Sequence, residues 1–321
     1  MPSDEYVRQC KQIHRETGRT FYFATQLLPE RVRRPTYVLY AFFRIADEVV
    51  DSEKAETIPG DEQRRRLEVL REQALGEKEP TRPELKAFLE VKEEYDIPDE
   101  EINVFIDAMK TDIDKSRYET FGELRDYMRG SASAVGVMMT AIMEPENRDK
   151  ALPHAKALGE AYQMSNFLRD VREDIIQRNR IYLPLETLDR HGVTEDQIED
   201  LEYSPGFGEA IRDELLRTEQ LYHEGVAGIR LLPKDCQFAV LLASVMYSDY
   251  HTQIREYDYD VLNNEPSLSM PRKLSLFART RVRWQLSKDP DRVFRKVSPL
   301  VLPESPSDPQ DVTDRVLTYN D

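Results

Sequence analysis

Read for spacing alone, the chain is helical almost throughout. Apolar side chains recur every three or four residues, while the alternation in twos that marks strands is scarce. The pattern predicts a first helix over Asp4–Thr17, ended by Gly18 as a left-handed cap. A loop follows, then a long helix running through ADEVVD, then a polar loop over 53–62. Helices recur near 62–75, 83–95, 99–114, 120–143 and 147–179. Residues 180–206 hold Pro184, Gly192 and Pro205 and are expected to break into short pieces and turns. Further helices are predicted near 207–231, 234–256 and 271–288. The absence of any repeat, low-complexity tract or linker predicts one all-α domain over 1–298. A polar tail over 299–321, with four prolines and many acids, is expected to be loose or draped over the surface.

Two of these helices carry a polar stripe beside apolar turns. In the first, Tyr40, Arg44, Asp47 and Asp51 step by three or four, after YVLYAFF at 37–43, which is apolar all round and predicts burial. In the second, Gln163, Asn166, Asp170, Asp174 and Arg178 share one face beside Phe167, Val171 and Ile175. Carboxylates four apart on a helix repel by roughly 0.2–0.5 kcal/mol. A cation, a neighbouring arginine or plain solvation would each compensate. With 61 acidic residues in the chain, single D-x-x-x-D spacings also arise by chance, as DPQDVTD in the tail illustrates. Two such pairs, each after an apolar turn and each with an arginine on or beside the stripe, favour a cavity wall over a solvated edge.

Two facing carboxylate pairs suit Mg²⁺, which takes oxygen ligands and is held by one or two carboxylates plus substrate phosphates. A diphosphate would complete such a site, and the metal would neutralise it as it departs. Zinc fits poorly, because no His or Cys stands at ligand spacing. The five histidines are scattered and read as structural or surface residues.

Composition narrows the field. The chain has 321 residues, 40% hydrophobic and 33% charged, with 45 basic against 61 acidic side chains and a net charge of −16. Such a surface repels nucleic acid and also suits a protein kept soluble in high salt. Two cysteines, Cys10 and Cys236, form no framework and point to a reducing, cytoplasmic setting. No secretory leader pattern opens the chain, and no run of about 18 apolar residues marks a membrane span. RTRVRW at 279–284 reads as a solvated basic helix face balancing the many acids, with a patch for anionic lipid as the alternative.

The motifs resemble the squalene/phytoene synthase family, the head-to-head prenyl transferases. YAFFRIADEVVD is similar to the family's first signature, an Arg followed by D-x-x-x-D. NFLRDVREDIIQRNRIYLP is similar to the second, N-x-x-R-D-V-x-E-D leading into R-x-Y-L-P. TFYFATQLLPE at 20–30 resembles the N-terminal S-F-x-x-A…L-P segment, and YMRGSASAVGVMM at 127–139 the Y-x-x-G-x-A-x-x-V-G helix. The match runs in consistent order over roughly 5–285.

The resemblance implies an isoprenoid synthase fold around a central cavity. It implies Asp47, Asp51, Asp170 and Asp174, with Asn166, as holders of Mg²⁺ (Mn²⁺ as the alternative). Those four acids, Tyr40 and Arg44 would be the catalytic set. Gln163, Asn166, Arg169, Arg180 and Tyr182 would lie near two prenyl diphosphates, and Thr20, Phe21, Tyr40 and Tyr247 would border the first-substrate region. Two identical prenyl diphosphates would condense 1′-1 through a cyclopropylcarbinyl diphosphate.

Some positions depart from the family pattern. Thr20 replaces Ser, Glu48 stands for Asp, and Arg172 stands where Gly is usual and is expected to point away from the metal face. Asn264 stands for an Arg, whose role Lys273 would take. The wording GSASAVG and DVREDIIQRNRIYLP resembles microbial phytoene synthases more than squalene synthases, which implies geranylgeranyl diphosphate as substrate and no NADPH. The tunnel floor is expected along Ala132, Ala134, Val135, Met138 and Met139. The alternatives are a squalene or dehydrosqualene synthase acting on farnesyl diphosphate and, in another class, a catalytically silent helical assembly factor. Transient contact with a membrane surface fits lipid substrates. Oligomeric state is not legible.

Overall fold

The structure is a computed structural model and describes residues 2–51, 57–298 and 300. Among these the chain is helical, with no strand beyond an isolated bridge between Arg117 and Ile181. The elements are α1 (Asp4–Thr17), α2 (Arg19–Thr25), α3 (Glu30–Asp51), α4 (Gly60–Leu75), α5 (Pro83–Glu94), α6 (Asp99–Thr111), α7 (Phe121–Met128), a π-helical turn (Arg129–Ser133), α8 (Ala134–Met143), α9 (Arg148–Arg169) and α10 (Val171–Arg178). They continue with α11 (Leu185–Arg190), α12 (Glu195–Glu199), α13 (Pro205–Ala227), a 3₁₀ turn (Gly228–Leu231), α14 (Lys234–Glu256), α15 (Met270–Leu286) and α16 (Pro290–Val297).

α9 is the hub. It packs on α13, α8, the π turn and α14, while α3 leans on α1, α5 and α8. The large core joins α3, α5, α6, α8 and α14 through Leu39, Phe42, Phe88, Ile106, Met138 and Leu242. A smaller apolar cluster around Ile175, Ile198, Phe207 and Ile211 anchors α10 and its neighbours. Two glycines set the α8–α9 spacing. A methyl on Gly136 would stand 2.4 Å from the Ala155 carbonyl oxygen, and one on Gly159 would stand 2.6 Å from that of Ala132.

Four features differ from the reading of the sequence. Gly18 is not left-handed, at φ −116°; it is required because a methyl there would meet the Tyr40 hydroxyl at 2.4 Å. Helix α2 forms at once after it, where a loop was expected. The predicted helix 120–143 is interrupted by the π turn, and 147–179 is interrupted at Asp170 (φ −102°, ψ 14°). Helix α16 was not anticipated. The expected tail 299–321 lies outside the described residues apart from Leu300, as do residues 53–56 of the expected loop at 53–62, whose last three residues already belong to α4. No helix among the described residues is long and apolar enough to cross a membrane.

Candidate active site

One cavity of about 1140 Å³ runs between α3, α8, α9 and α14, above the range of about 300–1,000 Å³ usual for ligand pockets. Its polarity changes along its length. On α9 the lining passes from Ala151, Ala155 and Leu158 through Tyr162 to Gln163, Asn166 and Asp170. At 1.5 Å rise per residue that wall is about 28 Å long. On α3 it passes from Thr36, Leu39 and Phe43 to Arg44, Asp47 and Asp51. The helical period thus gives each helix one apolar stretch and one charged stretch on the same face.

At the charged end the two acidic pairs meet. Arg178 reaches both: its Nη1 donates to Asp174 at 3.0 Å, and its Nε lies 3.6 Å from Asp51. The break at Asp170 does not swing the second pair apart, since the Asp170 amide still donates to the Asn166 carbonyl and the Asp174 amide to that of Asp170, each at 2.8 Å. Asp170 receives the Arg169 guanidinium, its Nε at 2.6 Å, and that guanidinium lies over the Tyr250 ring. Asp51 receives Arg180 at 2.8 Å. Asp47 has a looser partner, Arg44 at 3.9 Å, and also feels the charge of Arg178.

Charge is therefore crowded. Burial first, and then the Asp51 carboxylate, pushes Asp47 up to about 7, although 36% of its side chain remains open to the cavity. Burial and then Asp170 push Asp174 up to about 7. The Asn166 side-chain amide oxygen, Oδ1, is buried at the same wall and accepts no hydrogen bond. A set of carboxylates and an amide oxygen, under-neutralised and partly unpartnered, has the donor chemistry a hard divalent cation takes. No group of three or more His, Cys, Asp and Glu among the described residues closes into a metal site on its own.

Between the two ends stand aromatic rings. Phe21 lies 4.4 Å from Tyr247 and 5.4 Å from Tyr162, centroid to centroid, and the Tyr162 hydroxyl shares a 2.8 Å hydrogen bond with Ser244. Tyr40 stacks on His14 at 3.9 Å, and the Thr17 hydroxyl donates to its oxygen at 3.3 Å. Burial pushes His14 down to about 3, so it stays a neutral ring. The apolar end carries a stripe on the π turn and α8: Ala132, Val135, Gly136, Met139, Thr140 and Met143. Ala134 and Met138, expected at the floor, do not line the cavity. The register of α8 turns both into the core, where neither is exposed.

Most of the residues singled out by sequence line this cavity: Thr20, Phe21, Tyr40, Arg44, Asp47, Asp51, Gln163, Asn166, Arg169, Asp170, Asp174, Tyr182 and Tyr247. Arg180 and Lys273 do not. Arg180 is buried behind Asp51, where its Nη2 donates to the Asp112 carbonyl at 2.7 Å. Lys273 is buried on α15, its charge disfavoured by burial and by Arg19. Arg172 points away, donating to the Leu262 carbonyl at 2.6 Å, and Asn264 is held by the Asp260 carbonyl.

The sequence reading missed Arg19, Tyr162 and Asp112, all of which line the cavity. Asp112 accepts a hydrogen bond from Tyr127 at 2.8 Å, and burial pushes it up to about 7, partly offset by Arg180. Its partners lie 15 to 70 residues away in sequence, so no local spacing marks it.

Residues 14–272 match the family described as squalene/phytoene synthase. The chain belongs to that family. A phytoene synthase of Rhodobacter capsulatus is 31% identical over 283 residues, covering 87% of this chain and 82% of that protein. A 15-cis-phytoene synthase of Synechocystis is 30% identical over 285 residues, covering 84% and 83%. Among solved structures, a dehydrosqualene synthase in complex with a ligand superposes with a TM-score of 0.79 at 27% identity, covering 88% of this chain and 98% of that one. A squalene synthase from Alicyclobacillus acidocaldarius gives 0.71 at 26% identity, covering 79% and 95%. The all-α isoprenoid synthase fold and the prenyl transferase class follow for this squalene/phytoene synthase family member, with dependence on a divalent metal.

Proposed function

We propose that this enzyme joins two geranylgeranyl diphosphates 1′-1 to give phytoene, a step of carotenoid biosynthesis, with Mg²⁺ and without NADPH. One observation carries the reading: a single cavity sets two acidic pairs and their arginines at one end of a long apolar wall. Two diphosphates need the charged end, and two C20 tails need the wall. Asp47, Asp51, Asn166, Asp170 and Asp174 would hold the metal. When bound, it would neutralise the diphosphate oxygens and assist their departure.

The chain's own groups would do the rest. Arg44, Arg169 and Arg178 bring guanidinium donors to diphosphate oxygens, a match of charge and fork geometry. The carbon–oxygen bond of the first substrate breaks and the electron pair leaves with the diphosphate. The allylic cation would lie among Phe21, Tyr40, Tyr162 and Tyr247, whose ring faces attract positive charge. The double bond of the second substrate attacks it, and loss of a proton closes the cyclopropane. The cyclopropylcarbinyl diphosphate then ionises in turn, rearranges and loses a proton. Proton loss ends the reaction without a reductant. The apolar wall excludes water, which would otherwise capture the cations.

The second reading is a dehydrosqualene or squalene synthase using farnesyl diphosphate; the superposition of 0.79 on a dehydrosqualene synthase favours it. A silent assembly factor is disfavoured, because all four acids are kept and face one cavity. The test is incubation of purified enzyme with Mg²⁺ and either geranylgeranyl or farnesyl diphosphate, with and without NADPH, followed by mass spectrometry of the hydrocarbon. Phytoene formed without reductant is expected. Squalene formed from farnesyl diphosphate only with NADPH, with geranylgeranyl diphosphate untouched, would replace this reading by the second.

A further inference from the structure

Helix α15 carries both apolar and basic side chains on its exposed face. Met270, Leu274, Val282 and Leu286 are 53 to 77% exposed and make up four of the nine exposed large apolar side chains among the described residues. With Ala278, also exposed, they fall at strict four-residue steps: 270, 274, 278, 282, 286. Each step turns the helix only about 40°, so the five form one continuous apolar row along the outside. The inner face is occupied by Leu276, Thr280 and Trp284.

The charge on this helix is equally distinct. Its seventeen residues include Arg272, Lys273, Arg279, Arg281 and Arg283 and no acid, in a chain whose net charge is −16. Lys273 is buried and Arg272 is paired with Asp249, so these two cations are used internally. Arg279, Arg281 and Arg283 are exposed beside the apolar row, and Lys288 follows just past the helix end. None of these four has an acidic partner among the described residues. Arg279 donates to the Val297 carbonyl, Arg281 lies over the Phe238 ring and Lys288 over the Trp284 ring, so three of the four are held in place without their charge being neutralised. An apolar row flanked by cations without acidic partners is the pattern of helices that lie in the plane of a bilayer surface. The net charge of −16 opposes approach to an anionic surface, so a face that carries cations and no acid is the one favoured to meet it.

The helix also lies next to the cavity wall. Phe277 on its inner edge packs on Phe23 of α2 and Phe238 of α14. Their neighbours Ala24, Ala239 and Val240 line the apolar part of the cavity. A surface held by α15 is therefore one layer of side chains from the region suited to prenyl tails.

We propose that α15 is a docking face for an anionic lipid bilayer, its apolar row entering the headgroup boundary and Arg279, Arg281, Arg283 and Lys288 meeting lipid phosphates. The inference stands on the surface alone and does not depend on which prenyl diphosphate is used. The test is co-sedimentation of the full chain with vesicles of phosphatidylglycerol and phosphatidylcholine, or of phosphatidylcholine alone, in a buffer where circular dichroism shows the helices intact. The variants Val282→Glu/Leu286→Glu and Arg281→Gln/Arg283→Gln lie outside the cavity and are expected to keep wild-type helicity and wild-type turnover of detergent-dispersed substrate. Wild type should pellet with the anionic vesicles and at least tenfold less with neutral ones, and each variant should lose at least tenfold of the anionic binding. Wild type remaining in solution with both vesicles would overturn the proposal, as would unchanged binding by both variants. A concentration-dependent dimer abolished by the Glu variant, without vesicle binding, would also overturn it and make the row a self-association face.

Discussion

The two acidic pairs look alike in sequence and differ in how the fold supplies them. Asp47 and Asp51 stand on α3, one unbroken helix that sets one of its four arginines, Arg44, beside Asp47 at a loose 3.9 Å. Asp170 and Asp174 stand across the α9–α10 junction, which also supplies Arg169, Arg178 and, just beyond, Arg180. The second segment therefore pairs each of its own acids with an arginine and also brings Arg178 and Arg180 to Asp51 on the first. Asp47, furthest from these donors, is left with the least compensation. The charged end of the cavity is thus one device built mostly from one segment, with α3 contributing acids to it.

The sharpest way to break this comparison is to remove one acid from each pair. Asp47→Asn and Asp174→Asn should each lower kcat on the order of 10³-fold, the scale of losing a group that stabilises transition-state charge. Each should leave the helical circular dichroism unchanged. A loss of helicity in either variant would mark that acid as structural. Next, Arg178→Gln removes a side chain that touches both pairs. A loss of about 100-fold in kcat/KM is expected, and a variant as active as wild type would show that the bridge has no part in turnover.

The apolar end offers a smaller test. Met139→Trp adds bulk on the lining stripe of α8 and should lower kcat/KM for a C20 substrate about tenfold more than for a C15 one. Ala134→Phe enters the core instead, and overpacking there should destabilise the fold by about 1–3 kcal/mol without a chain-length effect. Equal penalties on both substrates in Met139→Trp would remove α8 from the specificity wall.

The smallest expected effect is on pH. Asp47, Asp112 and Asp174 are held up to about 7 in the metal-free protein. Between the ordinary carboxylate range and about 7 the folded state binds more protons than the unfolded one. Their contribution to stability is therefore present at low pH and lost as pH rises through about 7. Wild-type Tm without metal should fall by a few degrees, on the order of 5 °C, from about pH 5 to about pH 8, and Asp47→Asn/Asp174→Asn should flatten that slope. An identical slope in the variant would place the proton uptake elsewhere.

Much of this arrangement was legible beforehand because it is helical and local. Spacing alone placed Asp47 and Asp51 on one face, and Asp170 and Asp174 on another. It placed the ends of α1 at Asp4 and Thr17, where they are observed. What spacing could not give was register relative to neighbours, so Ala134 and Val135 were put on one wall when only Val135 reaches it. Nor could it give Asp112, whose partners come from distant segments. Helix α2 has no side-chain cap to announce it. Helix α16 does carry its signs, Asp289 capping the Arg292 amide, Pro290 in the first turn, and Val293, Phe294 and Val297 on the buried face, but its eight residues give only two turns of the helical period.

The central claim is that both acidic pairs serve one metal–diphosphate site. The most direct measurement is an anomalous-scattering map from crystals grown with Mn²⁺ and inorganic diphosphate. The account predicts manganese peaks at the charged end of the cavity, bound by carboxylates of both pairs and by the diphosphate, and no such peaks in crystals with Mn²⁺ but no diphosphate at the same modest concentration. Manganese confined to one pair, or held elsewhere on the protein, would contradict it.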